Sequence, residues 1–472
     1  VTPVRYISTR GQAPSLPFDD VLIAGLAADG GLYVPERWPT FSEAGFRALV
    51  GRPYEQVATA VLSPFVAGAL SEEELSGAVA AAYGAFGHRA VAPLVELDAG
   101  DWLLELFHGP TLAFKDVAMQ LLARLMDIVL KRRGERVTIV GATSGDTGSA
   151  AIEAFRGLDS VDIFILHPHG RVSEVQRRQM TTVDAPNVHN LAIEGTFDDC
   201  QSMLKAMFAD REFSQGCHLA GVNSINWARI MAQTVYYVTS ALALGAPDRR
   251  VSFTVPTGNF GDIFAGYVAK RMGLPIDRLA VATNVNDILH RALTTGRYET
   301  DKVVATSSPS MDIQVSSNFE RLLFDAYGRD AEAVTGLMAG LAQSGAFTIT
   351  ETALDRILAD FSSGRADEET VARTIAETLK ETRELVDPHT AVGLAVARAL
   401  ERDPAVPMVT LATAHPAKFP DAVEAACGVR PELPESLSTL LDKPEHCTTL
   451  DNDPEAVKAF IAARSRAGRE VA

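Results

Sequence analysis

The chain has 472 residues, 47% of them apolar and 22% charged, with a formal charge of −17 from 60 acidic and 43 basic side chains. That length predicts two or three domains and that composition a globular protein, while the acidic balance argues against nucleic acid as a partner. No run of about 18 uncharged apolar residues marks a membrane span, and four cysteines are too few for a disulfide framework.

In chain order, residues 1–11 carry Arg5 and Arg10 and no apolar block, so no signal peptide is expected and the setting is expected to be cytoplasmic and reducing. Up to about residue 95 the apolar spacing is helical, over 41–48, 54–70 and 72–83, with Pro64 expected to kink or break the second stretch. Strands and helices then alternate. Residues 137–140, 161–166, 188–193, 251–255 and 407–411 read as strands; 149–155, 198–208 and a stretch from Ile263 read as helices. Strands separated by helices imply parallel sheets with right-handed crossovers, an α/β class with ligands at the strands' carboxyl ends. The pairs Cys217-His218 and His446-Cys447 have no second half at ligand spacing, as Cys200 and Cys427 stand apart, so no metal is expected.

Three strand–loop–helix junctions carry polar residues of interest. Thr257-Gly258-Asn259-Phe260-Gly261-Asp262 offers a helix start and two glycines expected to adopt positive φ and let the backbone approach a ligand, an anion cradle by its chemistry or else a plain turn with Asp262 in the helix's first turn. Thr143-Ser144-Gly145-Asp146-Thr147 repeats the pattern, with hydroxyls that suit a carboxylate, a phosphate or simple helix capping. Thr413, past the last strand, can offer a hydroxyl to a ring nitrogen or sit in a surface turn with His415. Earlier, His108-Gly109-Pro110-Thr111-Leu112-Ala113-Phe114-Lys115-Asp116 precedes a helix whose apolar face includes Ala118, Leu121, Leu122, Leu125, Met126 and Val129. A lysine at a buried helix start opposes the dipole unless its amine is neutral or covalently engaged; an exposed lysine on a frayed turn is the other reading.

These segments, in this order, resemble the threonine synthase family of fold-type II pyridoxal-phosphate (PLP) enzymes, related to tryptophan synthase β. The resemblance also takes in Tyr6 to Gly11, Asn223 to Ile230, Pro309 to Ile313, Asp387 to Gly393 and the stretch 411–419. It implies two PLP fold-type II domains with mainly parallel open sheets flanked by helices, plus a helical N-terminal domain. The spans are 1–95 for the helical domain, 96–140 with 241–472 for the large PLP-binding domain, and 141–240 for the small one. Lys115 matches the catalytic lysine that holds the cofactor as a Schiff base. Gly258, Asn259, Phe260, Gly261 and Asp262 match the loop on the PLP phosphate, and Thr413 matches the hydroxyl facing the pyridine nitrogen. Thr143, Ser144, Gly145, Asp146 and Thr147 match the loop that receives the substrate carboxylate. Asn226, Arg229 and Lys418 join the candidates for a second anion site, since the implied substrate carries its own phosphate.

The implied activity converts O-phospho-L-homoserine and water to L-threonine and phosphate, by γ-elimination and β-addition of water, as the last step of threonine biosynthesis. The expected assembly is a monomer or homodimer without membrane or nucleic-acid partners. The rival readings are a serine/threonine dehydratase of the same fold, a phosphate-removing lyase and a PLP-binding regulatory protein. Turnover of phosphohomoserine rather than serine, with threonine as product, separates them.

Overall fold

The computed structural model describes residues 3–467; the ends of the 1–95 and 241–472 spans lie outside the described residues. The first segment is helical where its apolar spacing is helical, over Glu43–Arg47, Tyr54–Val66 and Glu72–Tyr83. Ser71 caps the last of these: its hydroxyl accepts the Glu74 N–H while the Glu74 carboxylate accepts the Ser71 N–H. That reciprocal cap satisfies two helix-start donors. Pro64 neither breaks nor displaces its helix at once; the helix runs two residues further, to Val66. It stops short of residue 70 because Ala67 turns extended, at ψ 127°, and Gly68 turns left-handed, at φ 84°.

Periodicity did not reveal the antiparallel pair Tyr6–Ser8 with Tyr33–Pro35, each strand being only three residues long. Tyr6 is fully buried; its hydroxyl donates to the Phe65 carbonyl at 2.7 Å and accepts from Trp227 Nε1 at 3.1 Å. The N-terminal segment is thereby sewn to the helix Trp227–Ala243, and one apolar core runs from Tyr6 through to Leu411.

Beyond it the protein is α/β, with two sheets. The six-stranded sheet has the order Phe361–Arg365, Ile276–Thr283, Val251–Pro256, Met408–Ala412, Asp101–Glu105, Leu94–Asp98, and only the last pairing is antiparallel. The five-stranded sheet, order Thr448–Leu450, Val188–Ile193, Val161–Pro168, Val137–Ala142, Leu219–Ala220, is parallel throughout. Val161–Pro168 is buried along its whole length, as a parallel strand covered on both faces must be.

Strand pairing divides the chain differently from the 96–140, 141–240 and 241–472 spans. Val137–Ala142 pairs with Val161–Pro168, so the crossing into the second sheet comes before residue 137. Thr448–Leu450 returns to that sheet, followed by the helix Pro454–Arg464, whose Val457 and Ile461 pack with Cys200, Met203 and Met207. Such a return is invisible to local periodicity because a three-residue edge strand carries no pattern.

Asp101–Glu105, Val251–Pro256 and Met408–Ala412 run in one direction, so the segments that follow them meet at the carboxyl end of these strands. No helix among the described residues is long and apolar enough to cross a membrane. All four cysteines are free, and no cluster of three or more His, Cys, Asp or Glu among the described residues is placed to hold a metal.

Candidate active site

Lys115 is the first residue of the helix Lys115–Arg133 and is buried. The loop before it folds back on Asp116, which accepts the Thr111 N–H at 2.8 Å and the Thr111 hydroxyl at 2.6 Å. A Cβ on Gly109 would lie 2.4 Å from Asp116 Cβ, so only glycine fits there. Burial pushes the Asp116 carboxyl up to about 6 in spite of those hydrogen bonds. The Phe114 N–H donates to the Thr413 carbonyl at 2.9 Å and the His415 N–H to the Leu112 carbonyl at 3.0 Å. This backbone pairing brings Thr413, itself buried, to the segment that carries Lys115.

The Lys115 ammonium sits 3.5 Å from Asp146 Oδ2. Asp146 in turn accepts from Lys418 Nζ at 2.8 Å and from Gln176 Nε2 at 2.7 Å. Burial alone would raise the Asp146 carboxyl, but the Lys418 and Lys115 charges outweigh it and hold the group well below the usual carboxylate range. Burial pushes the Lys115 amine down from its ordinary value; Asp146 opposes this, while Lys418 and Arg229 add to it. The result is an amine closer to neutrality than a surface lysine.

Two sets of backbone donors face no acceptor among the described residues. In the first, the N–H groups of residues 258–263 are unengaged until Phe264 donates to the Phe260 carbonyl. Here the sequence expectation needs correcting. The left-handed residue is Phe260, at φ 63°, and neither glycine. Gly258 is required instead because a Cβ would lie 2.7 Å from the Ser310 carbonyl oxygen, and Gly261 faces Asn318 and Ile230. The Phe260 ring, packed 5.2 Å from Phe319 and 5.8 Å from Phe361, holds the strained residue in place. In the second set, the N–H groups of Ser144, Asp146 and Thr147 are unengaged at the start of the helix Asp146–Phe155.

Two buried polar atoms near these donors lack partners. Arg229 is 4% exposed, its Nε has no partner among the described residues, and its Nη1 makes one long contact with the Val222 carbonyl at 3.5 Å. Burial pushes its pKa down to about 10, with Tyr236 acting in the opposite direction. Asp262 Oδ1 accepts from the Tyr236 and Tyr237 hydroxyls, while Oδ2 accepts from nothing among the described residues. Burial pushes this carboxyl up to about 6, against the two tyrosines and Lys115.

The other sequence candidates divide. Thr143 uses its hydroxyl oxygen to accept the Gly145 and Gly148 N–H groups, both at 3.0 Å, which shapes the loop. Ser144 is exposed and Thr147 half-buried, both free to face a ligand, and Asn259 is exposed. Asn226, fully buried, caps the helix Trp227–Ala243 through Oδ1 and donates Nδ2 to the Leu22 carbonyl at 3.0 Å. Lys418, also fully buried, spends its three protons on Asp146, the Thr111 carbonyl at 2.7 Å and Gln179 Oε1 at 3.0 Å. Both side chains are therefore engaged by partners inside the protein.

The model of the threonine synthase N terminus matches residues 5–83, that of the pyridoxal-phosphate dependent enzymes residues 86–339, and that of the threonine synthase C-terminal region residues 390–461. The threonine synthase of Pseudomonas aeruginosa is 57% identical over 467 residues, which cover 99% of this chain and 100% of that one. The chain belongs to the threonine synthase family. A crystal structure of PLP-bound threonine synthase from Brucella melitensis superimposes with a TM-score of 0.97 at 61% identity, covering 98% of this chain and 100% of that one. The threonine synthase of Escherichia coli superimposes at 0.82 with 32% identity, covering 97% and 99%. This is a PLP-dependent fold-type II family.

Residue-by-residue reading missed Gln176, Tyr236, Tyr237, Ser310, Asp387 and His389. Ser310, Asp387 and His389 stand in segments that contribute to the resemblance, so their position was visible although no role was attached to it.

Proposed function

We propose that the chain converts O-phospho-L-homoserine and water to L-threonine and phosphate, with PLP bound through Lys115. Family membership supports the reaction. One observation carries the site: a buried lysine, its amine made less basic by burial, shares its surroundings with unengaged helix-start N–H groups and a buried arginine whose Nε has no partner among the described residues. The residues fit the cofactor. The N–H groups of Gly258, Asn259, Phe260, Gly261 and Asp262 would take its phosphate, a use of helix-start donors that needs no basic surface. Thr413 is the hydroxyl available to the ring nitrogen.

When bound, PLP supplies an electron sink for charge that develops at the substrate's Cα and Cβ. The protein's share is position and proton movement. The Lys115 amine, made less basic by burial, accepts a proton from Cα and returns it, and Asp146 keeps the amine within reach. Ser144, Asp146 and Thr147 offer N–H groups to the substrate carboxylate, beside Gly145 at the helix cap. Arg229 supplies the positive charge for a phosphate ester, where two parallel hydrogen bonds are available to it. Asp262 contributes through its helix start and not through its carboxylate, which would repel a phosphate.

The large domain is read as the six-stranded sheet with its helices, the small one as the five-stranded sheet. A cytoplasmic setting fits four free cysteines, and the assembly is read as a monomer or homodimer. Incubation of PLP-loaded protein with phosphohomoserine tests the reading. Equal amounts of threonine and free phosphate are expected; phosphate with a keto acid in place of threonine would contradict it, as would turnover of serine alone.

A further inference from the structure

The helix Pro388–Ala399 opens on a buried acid–imidazole pair that no step above uses. Asp387, fully buried, accepts the His389 and Thr390 N–H groups, both at 3.0 Å, and lies 2.6 Å from His389 Nδ1. A carboxylate at that distance requires the proton on Nδ1, which leaves Nε2 as an acceptor. Nε2 accepts the backbone N–H of Ser310 at 3.2 Å. His389 is 3% exposed, and its ring packs tilted against Phe419, which follows Lys418, with centroids 4.8 Å apart.

Ser310 lies in the short turn Pro309–Met311, between the two donor sets. Its carbonyl oxygen is the atom that forbids a side chain at Gly258, and its hydroxyl reaches Asp146 Oδ2, the oxygen nearest Lys115, at 3.5 Å. Ser316 holds the other side of this segment by donating to the Gly258 carbonyl at 2.6 Å. The His389 nitrogen is engaged by the Ser310 main chain, so the Asp–His pair anchors a loop and does not activate the serine hydroxyl.

We infer that Asp387 and His389 form a positioning dyad, in which the Nδ1–H tautomer of His389 anchors Ser310 and so fixes the turn that joins the Gly258 donor set to Asp146 and Lys115. The dyad fixes distances; it touches no reacting atom. A half-buried N–H left without its acceptor would release the Ser310 turn from both sets. The role in catalysis rests on Lys115 being the cofactor-bearing residue, but the tautomer and the loop do not.

Imidazole ¹⁵N NMR of PLP-loaded protein tests the dyad directly. His389 is expected to show a protonated Nδ1 and an unprotonated acceptor Nε2; an Nε2–H tautomer or an imidazolium at neutral pH would overturn it. In kinetics, His389→Leu should keep its Lys115-linked cofactor yet lose kcat about 10- to 100-fold, the range expected for one buried donor left unpaired. His389→Gln, whose side-chain oxygen can accept the Ser310 N–H, should recover most of that loss. Equal kcat in the two variants, or the same loss in both, would overturn the positioning role. Should the leucine variant fail to fold, Ser310→Pro, which removes the N–H itself, takes its place; unchanged kcat there is equally fatal. Absence of cofactor from Lys115 in the parent protein would instead defeat the proposed function and leave the tautomer result standing.

Discussion

Replacing Arg229 with methionine separates a ligand-binding arginine from a structural one. The guanidinium is held at about 10 against an ordinary 12.5, a fall of roughly 2.5 units, and at about 1.4 kcal/mol per unit its charge costs about 3 kcal/mol in the fold. One 3.5 Å contact to the Val222 carbonyl returns little of this. Methionine matches the length, fills irregular space and carries no charge. Cofactor-free Arg229→Met should therefore be more stable than the parent in urea unfolding, by up to about 3 kcal/mol. Affinity for the phosphorylated substrate should move the other way, since a charge-assisted hydrogen bond contributes about 1.5–3 kcal/mol, or roughly 10- to 150-fold. Removing a positive neighbour should also let the Lys115 pKa rise. A variant that is less stable than the parent and binds substrate equally well would refute the reasoning, because Arg229 would then be a scaffold residue.

Two further predictions use the carboxylates. Asp146→Asn removes the anion between Lys115 and Lys418; it should destabilise the cofactor-free protein by about 3–5 kcal/mol and lower the Lys115 pKa further, read from the pH dependence of amine labelling at Lys115. Unchanged labelling would mean that Asp146 does not set the amine's charge. Asp262, pushed up to about 6 from 3.8, holds its proton more tightly folded than unfolded, so its contribution to stability is full below about pH 4 and is lost as pH rises through 6. Asp116 acts with the same sign, so the informative quantity is the difference between the parent and Asp262→Asn. The variant should gain on the parent by about 3 kcal/mol between about pH 4 and 7, and a constant difference would contradict the burial argument.

The parallel sheets were readable in the sequence because their strands are apolar, β-branched and separated by helices, as at Val161–Pro168. Tyr6–Ser8 and Thr448–Leu450 were not, because strands of three residues are specified by what they pair with and not by their own pattern. The conflict between a lysine and a helix start left two readings of Lys115 open, of which the fold shows the buried one. The Gly258–Asp262 loop was readable as a glycine-containing turn before a helix, but positive φ was expected of its glycines when aromatic packing holds it at Phe260. Asn226 and Lys418 were drawn into the ligand set by their polarity and by the motifs they stand in. Their partners, the Leu22 and Thr111 carbonyls, lie 204 and 307 residues away in sequence, a distance over which no local pattern reaches. The same holds for His389, whose acceptor role appears only once Ser310 is folded against it.

Borohydride reduction of the PLP-loaded protein, followed by peptide mapping, asks whether the buried amine at the start of Lys115–Arg133 carries the cofactor. A single pyridoxyl adduct on Lys115 is the expected result. An adduct on Lys418 or on any other lysine, or no adduct in protein that has bound PLP, would contradict it.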